Sequence, residues 1–127
     1  MKNQDNCPFC ELERDRIISS NEHALAFRDG FPVTELHTLV IPKRHAETYF
    51  DLSATERQDI HDLLESCRSE ILSQDPSVEG FNIGWNCGRA AGQTVFHCHV
   101  HLIPRRVGDV NNPRGGVRGL IPGKQQY

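Results

Sequence analysis

The chain has 127 residues, 14 basic and 17 acidic side chains, a formal charge of −3 and 37% hydrophobic residues. That length supports one domain with its own core and no need of disulfide staples. No apolar run approaches the ~20 residues that span a bilayer, and the opening MKNQDNCPFC has no charged region leading into an apolar stretch, so no secretory leader is read. The expectation is a soluble, cytoplasmic, single-domain protein with no membrane partner. The charge is uneven: residues 105–127 carry Arg105, Arg106, Arg114, Arg118 and Lys124 against one acid, Asp109, while the rest of the chain is acidic. With a negative total and no aromatics interleaved among those cations, nucleic acid is not expected as a partner. Seven histidines and five cysteines are the unusual supply, and an odd number of cysteines argues for thiols, ligands or packing over a disulfide framework.

In chain order, short runs rich in β-branched or aromatic residues predict strands at 17–18, 23–27 (HALAF) and 37–41 (HTLVI), bounded by Asp29-Gly30 and Pro42. Ser53-Ala54-Thr55-Glu56 fits a capping box, and Ile60, Leu63, Leu64, Cys67 and Ile71 then recur at helical spacing until Pro76 stops the helix. Strands are predicted again at 81–85 (FNIGW) and 95–103 (VFHCHVHLI). Strands before and after one long helix indicate α+β with an antiparallel sheet rather than alternating βαβ. From Gly108 onward, Gly and Pro recur with few apolar residues, which reads as a tail ordered only if it docks.

The chemistry concentrates in Gly92-Gln93-Thr94-Val95-Phe96-His97-Cys98-His99-Val100-His101-Leu102-Ile103-Pro104. On a regular strand His97, His99 and His101 share one face, and Cys98, Val100 and Leu102 turn to the core. Three imidazoles on one face admit three readings: an exposed polar surface, a shared metal ion, or nucleophilic catalysis in which one imidazole attacks phosphorus and its neighbours position or protonate the reacting groups. Separately, Cys7-Pro8-Phe9-Cys10 has the spacing of two thiolates on one metal, against a redox pair or two core cysteines. A redox pair is disfavoured by the absence of a thioredoxin-like βαβ context.

The ordered set His97-Cys98-His99-Val100-His101-Leu102-Ile103 resembles the histidine triad motif of the HIT superfamily of nucleotide hydrolases and transferases. HTLVIPKRH (37–45), GFNIGWNCGRAAGQTV (80–95) and CPFC (7–10) are similar to family segments, so the likeness covers about 7–107. It implies a HIT-like α+β fold: an antiparallel sheet of about five strands, one long helix and a short N-terminal helix. It implies a HIT domain over 1–107, with 108–127 as a Gly/Pro/Arg-rich C-terminal tail able to dock near the active site.

The resemblance makes His99 the nucleophile that attacks the α-phosphorus of a nucleotide, forming a nucleotidyl-histidine that water hydrolyses. The second ring nitrogen of His99 must then donate, to a backbone carbonyl, to fix the reactive tautomer. His101, His97 and His37 complete the catalytic set, and Asp29, Asn86, Gly92, Gln93 and Thr94 fall where the family binds ribose and phosphates. Leu36 stands where family members usually carry glycine. A zinc-containing subset takes two cysteines, a histidine after the IPK segment and the first triad histidine, which implies structural Zn2+ on Cys7, Cys10, His45 and His97. Pro104-Arg105-Arg106-Val107-Gly108-Asp109 resembles the fragile-histidine-triad branch that cleaves dinucleoside polyphosphates, and Arg105, Arg106, Arg114 and Arg118 could serve a polyphosphate or keep the tail soluble. The alternatives are an adenosine phosphoramidase of the histidine-triad nucleotide-binding branch and a nucleotide-binding sensor with vestigial hydrolysis. A divalent cation with the substrate is left open. A homodimer is implied, pairing through the helix from Ser53 and an edge strand. Cys87 receives no role.

Overall fold

In a computed structural model that describes residues 6–127, the chain forms one five-stranded antiparallel sheet backed by one long helix. Its elements are β1 (Ile17–Ser20), β2 (Ala24–Arg28), β3 (Thr38–Pro42), α1 (Ala54–Gln74), β4 (Gly80–Trp85) and β5 (Val100–Arg105), with spatial order β1-β2-β3-β5-β4. The expected α+β class, strand number and single long helix are therefore observed. The short N-terminal helix implied by resemblance is a single 3-10 turn, Arg14–Arg16, which lacks a side-chain cap.

Strand alternation splits the apolar residues between two faces. Ala24, Ala26, Val40, Val100 and Leu102 pack against Ile60, Leu63, Cys67 and Ile71 of α1, forming the main core. Phe27, Leu39 and Ile41 line the opposite face under Phe9, Leu12 and Leu25. β3 is buried along its whole length because it has covered residues on both faces and strands on both sides.

The helix starts as its sequence dictates: Ser53 Oγ accepts from the Glu56 amide, and a Glu56 carboxylate oxygen accepts from the Ser53 amide. Charged pairs fasten it to the sheet side. Glu56 holds the Arg44 guanidinium at 2.9 Å through both oxygens, Asp59 takes His23 Nδ1 at 2.7 Å, and Glu70 takes Arg28 at 3.0 Å. Asp75 caps the C-terminal end before Pro76.

The predicted strand 95–103 is corrected at both ends. Residues 95–97 bend instead of extending, and regular pairing starts only at Val100 and continues through Pro104 to Arg105. Only His101 of the three histidines therefore sits in the sheet, and the three do not share a strand face. The register places His101 between Leu39 of β3 and Gly84 of β4. Its triad face is the one opposite α1, since its neighbours Val100 and Leu102 belong to the helix-side core.

The tail folds back on itself. Gly115 has φ +85°, and a Cβ there would meet the Gln125 carbonyl oxygen at 2.2 Å, so this closure requires glycine. The tail and the ends of β4 and β5 enclose a cleft of about 630 Å³ that includes Phe81, Asn82, Arg105 and Asn111.

Candidate active site and metal centre

His37, just before β3, and Asp29, just after β2, meet at the same end of the sheet because the Asp29 amide donates to the His37 carbonyl at 2.9 Å. The preceding turn keeps the conformation a glycine would adopt: Leu36 has φ +71° and pays for it by packing on the helix-side core, while Thr38 Oγ1 donates to its carbonyl at 2.8 Å.

Hydrogen bonds fix the tautomers of these rings. The Val33 amide donates to His37 Nδ1 at 3.1 Å, so the neutral ring carries its hydrogen on Nε2. That nitrogen lies 3.0 Å from His101 Nδ1 and donates to it, which leaves the His101 hydrogen on Nε2. His99 Nδ1 lies 2.9 Å from the His97 carbonyl and must donate there, so its Nε2 carries the lone pair. The His99 and His101 ring centroids are 5.2 Å apart, so a ring with a free Nε2 lone pair neighbours one that carries its hydrogen on Nε2. Burial holds His101 down to about 4, with repulsion from His99 and His37 adding, so the ring is a neutral donor at neutral pH. Burial also lowers His37.

Asp29, His37 and His101 offer ligand atoms within 4.8 Å of one another. The His37 tautomer argues against a metal there, because its inward nitrogen is the protonated one. Asp29 instead accepts from the Phe31 amide at 2.8 Å and lies 3.5 Å from His37 Nε2.

His97 turns away from this pair of imidazoles. Its Nε2 donates to the Pro42 carbonyl at 2.8 Å, aiming the Nδ1 lone pair at two sulfurs: Cys7 Sγ at 3.6 Å and Cys10 Sγ at 3.5 Å. His45 Nδ1 lies 3.2 Å from Cys10 Sγ. Tetrahedral zinc bonded to sulfur and imidazole requires sulfur–nitrogen edges of about 3.6 Å, so the set fits such an ion. A carbonyl orienting a ligand imidazole and a backbone amide on a ligand sulfur (Cys10 N to Cys7 Sγ, 3.3 Å) are the usual outer contacts of such a centre. Burial lowers His97 to about 4, which keeps it neutral as a ligand must be.

The remaining expected residues divide. Asn86 directly follows Trp85, the last residue of β4, whose partner Val100 opens β5 just after His99. Gly92, at φ +89°, closes the turn after Arg89–Ala91. Gln93 is buried and its side chain ties the loop together, accepting from the Gly88 amide and donating to the Glu47 and Val95 carbonyls. Thr94 is exposed and borders a smaller cleft with Cys7, His45 and Phe96. The four arginines singled out for a polyphosphate all have internal partners. Arg105 forks onto Asp109, Arg106 pairs with Asp75, and Arg114 and Arg118 donate to tail carbonyls and stack on Tyr127. A phosphate chain would have to displace these pairs.

One contributor lacked any signal of its own in the sequence. Phe9, inside the Cys-x-x-Cys loop, stands edge-on to His99 at 5.1 Å and to Phe27 at 5.3 Å, joining that loop to the His99 ring.

Fold and site together define an antiparallel α+β domain that presents an imidazole with a free Nε2 lone pair beside a neutral one that carries its hydrogen on Nε2. The HIT domain model matches residues 12–108, and the chain belongs to the HIT family, whose members are in general nucleotide hydrolases and transferases. It is 32% identical over 114 residues to the adenosine 5′-monophosphoramidase HNT1 of Candida albicans, covering 84% of this chain and 74% of that protein. It is 37% identical over 98 residues to the nitrilase and fragile histidine triad fusion protein NitFhit of Caenorhabditis elegans, covering 77% of this chain and 22% of that one. The structure of a zinc-bound histidine triad family protein from Mycobacterium smegmatis superposes with a TM-score of 0.74 at 34% identity, covering 82% of this chain and 78% of that one.

Proposed function

We propose that the protein hydrolyses dinucleoside polyphosphates at the α-phosphate through a nucleotidyl-His99 intermediate. The observation that carries the reading is the opposite tautomers of His99 and His101, each set by a hydrogen bond to a fixed partner. His99 Nε2 donates its lone pair to the α-phosphorus as the bond to the bridging oxygen breaks. That oxygen leaves with the electron pair as a phosphate anion, its charge met by the hydrogen bond that His101 Nε2–H donates. Water then attacks the phosphorus, its oxygen replaces His99 Nε2, the electron pair of the P–N bond returns to Nε2, and the nucleoside monophosphate leaves as the surplus proton passes to the departed phosphate or to solvent. Asn86 and the Thr94 amide would border the phosphate and stabilise developing charge, and Asp29 would hold the ribose, whereas the Gly92 and Gln93 amides already donate to the Arg89 and Gly88 carbonyls and shape the turn. Gln93 acts through the loop it braces.

Similarity to a phosphoramidase supports the alternative leaving group, an amine in place of a phosphate, on the same two imidazoles. The absence of a free guanidinium among the four arginines makes that second reading a live one. A panel of nucleotides with mass detection of the adduct tests both. An adduct on His99 is expected, His99→Ala should abolish turnover, and His99→Asn should keep nucleotide binding. Wild-type rates in His99→Ala sink the mechanism, and the ratio of kcat/KM for polyphosphate and phosphoramidate selects the leaving group. Tight nucleotide binding with negligible turnover would favour a sensor.

We further propose that Cys7, Cys10, His45 and His97 hold a structural zinc ion, which supplies a cross-link between the N-terminal loop and the base of the triad segment. Pairing of two copies through the β4 edge, where Ile83 is 52% exposed, would give a homodimer. No described helix is long and apolar enough to cross a membrane.

A further inference from the structure

Two unlike surfaces flank the reactive imidazoles. Toward β4 lie Gly84, directly across from His101, and the turn from Gly88 to Gly92, whose glycines and alanines leave polar backbone uncovered by large side chains. Toward β2 and β1 lie Phe9 and Phe27, both in the apolar cluster on that face. A nucleotide bound at His99 has one charged end and one flat apolar end, so its base belongs on the aromatic side. At the far end of that side, just before β1, stands Arg16.

Two contacts hold the Arg16 guanidinium over Phe27, beside Gly30. Its guanidinium carbon sits 5.2 Å from the Phe27 ring centroid, its Nη2 donates to the Arg28 carbonyl at 2.9 Å, and the same atom lies 3.6 Å from where a Cβ on Gly30 would project. Gly30 is not in the left-handed region, so its backbone does not demand glycine. A side chain there would crowd the guanidinium and the surface beside it. Phe27 is buried and backs the inner face of the guanidinium, while Arg16 as a whole is exposed and its outer face meets solvent. Strands lie about 4.8 Å apart, and Arg16 folds back over β2, two strands from His101. Its planar cation is therefore within a nucleoside's reach of the reacting pair.

We propose that Arg16 is a specificity-determining residue that stacks on the nucleobase, with Phe27, guanidinium and purine ring forming a three-layer ladder. Bases stack on arginine planes as they do on aromatic rings, and the larger purine surface gains more than a pyrimidine. The inference rests on the nucleotide-hydrolase reading, so its test separates the two. Dissociation constants of AMP, GMP, CMP and UMP are measured for wild type, Arg16→Ala and Arg16→Lys, with KM and kcat for the matching substrates. Arg16→Ala should weaken AMP and GMP about tenfold and CMP and UMP less than threefold, with the loss falling on KM rather than kcat. Arg16→Lys keeps the charge without the plane and should not restore the purines. Equal weakening of all four bases, or full rescue by lysine, would show a structural or purely electrostatic role and overturn the proposal, as would no change. If the wild type binds none of the four and forms no His99 adduct, the nucleotide reading itself fails and takes this one with it.

Discussion

Two distant hydrogen bonds decide what each imidazole can do. His101 takes its tautomer from His37, 64 residues earlier, and His97 is aimed at the sulfurs by the Pro42 carbonyl, 55 residues earlier. The low proton affinity of His101 also bears on stability. An unfolded histidine takes up its proton near pH 6.5, whereas His101 in the fold waits until about 4. Between those values the unfolded chain binds more protons, so His101 makes the fold less stable as pH drops from 6.5 toward 4. The slope has a ceiling of about 1.4 kcal/mol per pH unit for one group. Urea unfolding of wild type and His101→Gln at pH 7 and pH 4.5 should show a smaller decline in the variant. Equal declines would mean that His101 does not titrate in this window.

At the scale of elements, the junction of α1 with the segment after β3 carries a second linkage of opposite type. The Arg44 fork, aided by Ser53, lowers the Glu56 carboxylate to about 2 despite its burial. A carboxylate depressed in the fold stabilises it above its unfolded pKa, near 4.5, and loses that contribution as pH falls toward 2. Glu56→Gln removes the charged fork on Arg44, while the glutamine oxygen can still accept from the Ser53 amide and keep the capping box. It should cost about 1–2 kcal/mol at pH 7, the lower part of the range for charged hydrogen bonds because Arg44 is partly solvated. The cost should vanish near pH 2, and chemical denaturation at the two pH values measures it. A penalty independent of pH would assign the effect to packing. The same scale explains why β5 starts late. Burying His97 toward the cysteines while His99 faces the site forces a bend between residues that strict alternation would place on one face.

For the whole molecule, the proposed zinc site and the β4 edge are the two places where something outside the single chain would bind. Chelation of the metal-loaded protein should lower Tm by about 10 °C, equivalent to roughly 2–3 kcal/mol in a domain of this size, and Cys10→Ser should reproduce the loss. Elemental analysis far below one zinc per chain, with both thiols free, would remove the centre. Ile83→Lys should convert a dimer to a monomer in sedimentation, while a monomeric wild type would refute pairing. The sequence by itself determined what short-range chemistry determines: the capped helix from Ser53 to Pro76, the core positions Cys98, Val100 and Leu102, the Cys-x-x-Cys pair and the triad residues. Periodicity, turn formers and ligand spacing act within a few residues and are legible there. Tertiary structure alone decided that His97 faces the cysteines while His99 and His101 face the site, which nitrogen of each ring is free, and that the tail arginines already have partners. It also decided that Leu36 holds a glycine-like backbone. Each of these depends on a carbonyl, carboxylate or apolar surface supplied by a remote segment, and such partners exist only once the sheet has brought the segments together.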